Sequence, residues 1–425
     1  MVSTAGPLSF AEELFWTAYL LEDHSPAYHI PLVLRLEGRL DLPSLEAALG
    51  VVVNRHDILR TRYPMGAEGE PFAVVDEPAK IVLTPVEVSG EPEGFLARAA
   101  LEPFDLETGP LIRWHLCRTA AEEHYLQLTL HHIVTDGWST ANLYRELTEA
   151  YAALACGEEP KLPELTVQYR DHALWQRDQR ERFERQLDYW EKALAGVPRG
   201  VTLPADRPRY HRSHVPAGHF ALSLPKAALL GLARTSNVTL FMVLVAAYAV
   251  VLSRRSGETQ VVLGTPVAGR RTVQSEQLIG CFINTLAVRT ELSGDPTFSQ
   301  LLHQVRDRML DAYDNQDVPF KHVTDRLASG SHDPFFRVWL ALLNTDEPTL
   351  ELPGLLVEQL PANTDMTKFD VSFYVCEEDD DLVLEVVYAT SLFHESTVRA
   401  IADDFAALLV AAVAEPGRRI SGLVP

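Results

Sequence analysis

The chain has 425 residues, 47% hydrophobic and 23% charged, and a formal net charge of −22. That length suffices for two or three compact lobes, and the acidic balance excludes sequence-independent binding to nucleic acid or to an anionic membrane, since both need a basic face. Cys117, Cys156, Cys281 and Cys376 lie too far apart for a metal or redox motif. No apolar run is long enough to span a bilayer and no secretory signal is visible, so a cytoplasmic protein with reduced cysteines is expected.

In chain order, Tyr28 to Glu37 reads as a strand ending at Gly38, and Leu45 to His56 as a helix with Leu45, Leu49 and Val52 on one face. Leu111–Leu116 and Tyr125–Leu130 read as a hairpin pair. A charged helical stretch runs from Gln176 to Leu194, and the turn-rich Leu203–Pro208 reads as a connection between lobes. Beyond it, Leu240–Leu252 reads as a buried helix, Val261–Leu263 as a short buried strand ending at Gly264, and Phe298–Tyr313 as a helix. Trp339–Leu343 reads as a strand and Ala400–Ala412 as a helix with an apolar face. The acidic run Glu377–Asp381 sits between the alternating segments Phe369–Val375 and Leu382–Tyr388 and reads as a solvated hairpin turn.

The most informative stretch is His131-His132-Ile133-Val134-Thr135-Asp136-Gly137, at the end of the alternating run from Tyr125. Consecutive strand residues point to opposite faces, so one histidine can meet a cleft while its neighbour packs inside. Imidazole exchanges protons near neutral pH and suits proton transfer or orientation of a nucleophile. Asp136 can hold the loop by a hydrogen bond or a buried ion pair. Gly137 permits a backbone geometry that a side chain forbids. Ser139 can cap the helix suggested by Leu143, Tyr144, Leu147 and Tyr151. On these residues alone, catalysis, core packing and metal ligation all stay open.

Several segments together resemble the condensation domains of nonribosomal peptide synthetases. They are Leu8-Ser9-Phe10-Ala11-Glu12, Arg55 to Thr61, His131 to Gly137 (the family's HHxxxDG signature), Tyr169 to Trp175, Ile279 to Thr285 with Arg289, and Asn315 to Phe320. They occur in family order from Leu8 to near Pro425. Glu12 stands where the family has Gln, Leu14 where it has Arg, and Ser331-His332-Asp333-Pro334 lacks the Arg of the seventh motif.

The resemblance implies an α/β fold of two chloramphenicol acetyltransferase-like lobes, a V-shaped pseudo-dimer with a central tunnel. The expected division is residues 1–176, carrying HHxxxDG, and residues 177–425, carrying the fifth and sixth motifs and the crossover elements. The implied reaction joins a donor acyl or peptidyl thioester to an acceptor aminoacyl group, both tethered to the 4'-phosphopantetheine arms of peptidyl carrier proteins. The implied partners are those carriers and, within a synthetase, a neighbouring adenylation domain; no metal and no intrinsically bound cofactor is expected. By family position His132 is the catalytic histidine, as general base or as hydrogen-bond positioner for the acceptor amine, and His131 supports the loop. Asp136 is a structural residue paired with an arginine, Arg289 first and Arg60 second. The Gly137 N–H stabilises the oxyanion or shapes the tunnel. Ser139, Asn284 and Thr285 are candidate substrate contacts, with helix capping and turn closure as their plainer readings.

Related domains read less well. Epimerization domains carry a Glu-Gly-His-Gly-Arg stretch not found here, heterocyclization domains lose the histidines, and degenerate recruitment domains lose the second His or the Gly. The motif style around Leu8–Ala11 and Ser25–Tyr28 leans towards an L-configured donor. Two alternatives remain: a free-standing acyltransferase making an ester or amide with a soluble alcohol or amine, and a non-catalytic carrier-docking module.

Overall fold

The structure is a computed structural model that describes residues 5–21, 24–197, 200–209, 215–327, 334–343, 349–362, 366–378 and 380–423. The chain forms two compact units that interleave in sequence. The first comprises Met1–Arg180, Ala268–Ile283 and Thr345–Thr364; the second comprises Glu181–Val267, Asn284–Asn344 and Asp365–Pro425. A single division after residue 176 therefore leaves two segments of the first unit behind. They belong there because Leu278, Ile279, Cys281, Phe282, Leu350 and Leu352 are buried in its core. Each fully buried aliphatic side chain contributes on the order of 2 kcal/mol.

The first unit is built on a five-stranded sheet, in the order Leu355–Leu360, His29–Gly38, Glu123–His131, Ile112–Ala120, Val86–Glu87. All neighbours are antiparallel except the last pair. Alternation puts Leu126, Leu128 and Leu130 on one face, with Leu34 and Leu36 of the neighbouring strand in the same core. The helices Leu42–Arg55 and Gly137–Ala155 complete that core with Leu45, Leu49 and Val52 and with Leu143, Leu147 and Tyr151. The expected hairpin is present, and Glu123–His131 is the central strand, bonded on both edges.

The second unit has a seven-stranded mixed sheet: Asn284–Glu291, Gln260–Val267, Val338–Leu343, Val371–Glu378, Asp381–Ala389, Val215–Leu224, Met366–Thr367. The two segments flanking the acidic run do pair antiparallel, in register from Val371↔Tyr388 to Glu378↔Asp381, but Glu377, Glu378 and Asp381 belong to the strands themselves, so the turn is shorter than the run. The helix Leu240–Ser256 buries every residue from Met242 to Leu252. Being apolar all round, it sits inside the unit rather than on its surface. Thr239 caps its start and Gly257, at φ 80°, ends it. The strand expected to stop at Gly264 continues to Val267, because its pairing with Asn284–Glu291 runs on to Val267↔Asn284; Gly264 lies under the Phe336 ring, where a Cβ would come within 2.2 Å. The charged stretch from Gln176 is two helices, Tyr169–Arg177 and Arg180–Ala193. The first is anchored by Tyr169 and Arg177, and the second turns its own Phe183, Leu187 and Trp190 inward.

Among the described residues no single helix is long and apolar enough to cross a membrane. One bent pair, Lys226–Thr235 with Leu240–Ser256, meets the length and composition together, but its apolar residues fill the second unit's core.

Candidate active site

The strand Glu123–His131 delivers both histidines, and the 3-10 turn His132–Val134 ends it. His131 is 2% exposed, and its Nδ1 accepts the Ile133 N–H at 3.1 Å. The rings of Phe15, Tyr28, His29 and Phe104 surround it. Burial first, then the neighbouring His29 and His132, push its pKa well below the usual histidine value. His131 is therefore a neutral packing group. His132 is half-buried, stacked on Phe15 at 4.8 Å and 18°. Its Nδ1 lies 3.8 Å from Cys281 Sγ.

Asp136, not Ser139, caps the helix Gly137–Ala155: its Oδ1 accepts the Ser139 N–H at 2.8 Å and lies 2.7 Å from Ser139 Oγ. Carboxylates are good caps because four N–H groups at a helix start lack partners and carry a positive dipole end. Ser139 is the capped residue. It is fully buried, and its hydroxyl also meets Gly280 O at 2.8 Å and the Gly280 N–H at 3.0 Å, so it lies inside a structural network.

The arginine partner of Asp136 is Arg270, at 2.9 Å, with side-chain exposures of 1% and 5%. Asp136 Oδ2 accepts the Phe282 N–H, also at 2.9 Å. Arg270 further donates to Ser139 Oγ and to the carbonyls of Ser275, Leu278 and Gly280, and its guanidinium lies 4.0 Å over the Phe282 ring. These bonds offset the cost of burying the two charges, and among the guanidinium nitrogens only Nε has no hydrogen-bond partner. The expected partners are engaged elsewhere. Arg289 donates to Ala193 O, Ala195 O and Gln260 Oε1, and Arg60 pairs with Asp57.

The segment Ala268–Ile283 is thus clasped against the HHxxxDG turn. Asn142 holds the carbonyls of Glu276 and Leu278, and Trp138 Nε1 reaches Glu276 O at 2.9 Å. His56 accepts the Ile279 N–H through Nδ1 and meets Glu146 through Nε2. Tyr169 donates its hydroxyl to Cys281 O at 2.5 Å. Gly269 is required here: its φ is 65°, and a Cβ would lie 2.0 Å from Phe282 O.

Gly137 is exposed, with open space around the place of a Cβ, and its φ lies outside the left-handed region. Its glycine leaves room at the helix start; it does not supply a special backbone shape. Asn284 closes a turn in the second unit, donating to Gln316 O and Val318 O and accepting from Phe320 N–H, while Thr285 continues the strand opposite Pro266. The seventh-motif residues Ser331–Asp333 lie outside the described residues.

The helix Phe10–Leu21, which packs on the 3-10 turn of the histidines, also buries a carboxyl. Glu12 is 2% exposed; Oε2 accepts the Ser9 N–H at 2.5 Å and Oε1 accepts the Tyr63 hydroxyl at 2.7 Å. Burial outweighs these bonds and raises its pKa to about 7. Arg270, Cys281, Phe15 and this role of Glu12 carry no spacing signal that joins them to the histidines. Only Gly269-Arg270-Arg271, a glycine turn with two cations after a strand, hints at an anchor.

The condensation-domain model matches residues 2–424. The chain belongs to the condensation-domain family. Condensation domains are acyltransferases that form amide bonds in nonribosomal peptide synthesis. CymA of Salinispora arenicola, described as a probable nonribosomal peptide synthetase, is 41% identical over 98% of this condensation domain. A linear gramicidin synthase of Brevibacillus parabrevis is 38% identical over 98%. The chain spans 6% of the length of each of these relatives. Among solved structures, the X-domain from teicoplanin biosynthesis matches with a TM-score of 0.88 at 31% identity, covering 98% of this chain and 96% of that one. The first condensation domain of the calcium-dependent antibiotic synthetase, solved with a substrate analogue, matches with a TM-score of 0.82 at 21% identity, covering 99% of each chain. That likeness identifies the fold as the two-lobed, chloramphenicol acetyltransferase-like one.

Proposed function

We propose that this condensation domain joins a donor acyl or peptidyl thioester to an acceptor aminoacyl group, each carried on the phosphopantetheine arm of a carrier protein. The acceptor amine attacks the thioester carbonyl carbon, forming the C–N bond and placing charge on oxygen. Collapse breaks the C–S bond. The pantetheine sulfur leaves with the electron pair and takes up the proton the nitrogen loses, so that an amide and a free thiol result. Tethering both reactants supplies proximity in place of covalent catalysis. His132 works at the reacting centre, His131 and Asp136 hold it there, and the Gly137 backbone N–H faces the developing oxyanion. No cofactor of the domain's own enters this reaction, and an adenylation domain loads the carriers. A tunnel that admits both arms, and a cytoplasmic setting, belong to the same reading.

The observation that carries it is the half-buried His132 beside the buried Asp136–Arg270 ion pair. The test loads donor and acceptor carriers and follows product by mass spectrometry. His132→Ala should lower amide formation by about a hundredfold or more; equal product from both proteins would remove His132 from the mechanism.

A second reading, partner recruitment without catalysis, draws on one likeness. The teicoplanin X-domain, solved as a complex with OxyB, matches with a TM-score of 0.89 at 31% identity. Turnover by the wild-type domain excludes it.

A further inference from the structure

The half-buried His132 ring has two nitrogens, and neutral imidazole carries one proton between them. Which nitrogen holds it decides whether the ring offers a donor or an acceptor to the reacting groups. Second partners of histidines commonly set this choice. Two observations bear on it here. Cys281 Sγ lies 3.8 Å from His132 Nδ1, within the longer reach of a sulfur hydrogen bond. Phe15 stacks on the imidazole and fixes its plane.

The thiol also keeps its hydrogen. Cys281 is buried, which pushes its pKa well above the usual thiol value, and Asp136 and Glu12 push it further the same way. Its carbonyl is held by Tyr169, and its neighbours Gly280 and Phe282 by Ser139 and Asp136. The backbone beside the sulfur is therefore fixed, and its one hydrogen is within reach of the imidazole lone pair. A thiol is a weak donor and a weaker acceptor, whereas a bare imidazole nitrogen is a good acceptor.

We infer that Cys281 is a positioning residue that donates its S–H to His132 Nδ1 and so keeps the imidazole proton on Nε2. His132 then presents an N–H, not a lone pair, to the reacting centre. It acts as a hydrogen-bond donor to the thioester oxygen as charge builds there, and the leaving sulfur, not His132, takes the proton lost by nitrogen. This rests on the amide-forming reading above and gives the histidine, within it, a role other than general base.

The test reads the tautomer directly, in the whole domain without carriers. Long-range proton–nitrogen NMR on histidine-labelled protein, with His132 assigned by its loss in His132→Ala, should show the Nε2–H pattern for the wild type. Cys281→Ser, which keeps a donor of similar size, should retain the pattern. Cys281→Ala should move His132 towards a mixture of tautomers and raise the pH at which it charges, since the S–H bond favours the neutral ring. The expected activity loss in Cys281→Ala is about threefold to tenfold in kcat/KM, rescued in Cys281→Ser. A wild-type Nδ1–H pattern overturns the inference, and so does an unchanged tautomer in Cys281→Ala. Cys281→Ser preserves folding if the alanine variant fails, and the wild-type spectrum decides on its own. A wild type that shows Nε2–H yet makes no amide from loaded carriers would defeat the proposed reaction and leave the tautomer standing.

Discussion

Replacing Glu12 by glutamine should change how stability depends on pH. In the folded chain the carboxyl keeps its proton up to about pH 7, because burial disfavours the charge more than Ser9, Tyr63 and Arg177 favour it. In the unfolded chain it titrates near the ordinary 4.5. Between those values the unfolded state binds fewer protons than the folded one, so stability falls as pH rises. At roughly 1.36 kcal/mol per pH unit, the loss across this window is about 3 kcal/mol. Glutamine keeps an oxygen for the Tyr63 hydroxyl or the Ser9 N–H and has no charge to bury. Urea unfolding of both proteins from pH 4 to pH 8 isolates the effect, since every other titrating group is shared. The advantage of Glu12→Gln over the wild type should grow by about 3 kcal/mol across the range and level off above pH 7. A constant difference would show that Glu12 titrates normally and that the buried site admits its charge.

Further predictions concern the lock beneath the histidines. Asp136→Ala strands the buried Arg270 guanidinium and should cost about 3–5 kcal/mol in denaturant unfolding, whereas Arg289→Ala should cost about 1 kcal/mol, because it loses only bonds to carbonyls and an amide; equal costs would contradict the Arg270 pairing. His132→Ala should cost about 1 kcal/mol in denaturant unfolding, for the lost stacking on Phe15, while product formation collapses. Gly280→Ala should lower the melting temperature, because its Cβ would lie 2.1 Å from the Tyr169 ring; an unchanged melting curve would mean that Tyr169 moves freely. His172, 4.6 Å from the Phe282 ring, has its pKa lowered to about 4 by burial first and Arg270 second, so its NMR signals should not titrate between pH 8 and pH 5.

Much of the fold could be read from periodicity. The strand before His131, the helices with Leu45 and Leu143, and the apolar helix from Leu240 each stand where local patterns put them, because side-chain alternation is a property of consecutive residues. Boundaries fared worse where tertiary contact overruled pattern. Gly264 sits inside a strand because the ladder to Asn284–Glu291 runs on to Val267, and the charged stretch from Gln176 divides into the end of one helix and the whole of a second. The capping assignment moved from Ser139 to Asp136 for a related reason. Both are good cap residues, and only the path of the chain into the helix shows which one stands outside its first turn.

What the sequence by itself determined is the address of the candidate site: a histidine pair closing an alternating strand, a helix starting just beyond it, and an ordered set of motifs that names the family. These are short-range facts, written in adjacent residues. Only the tertiary structure decided which cation neutralises Asp136 and which atom faces His132 Nδ1. Arg270 and Cys281 lie 134 and 149 positions from their partners, and residue type carries no distance. Chain-closing of that length is set by the whole core, through the burial of Leu278, Ile279 and Phe282. The ion pair and the thiol contact follow from where that burial leaves the backbone.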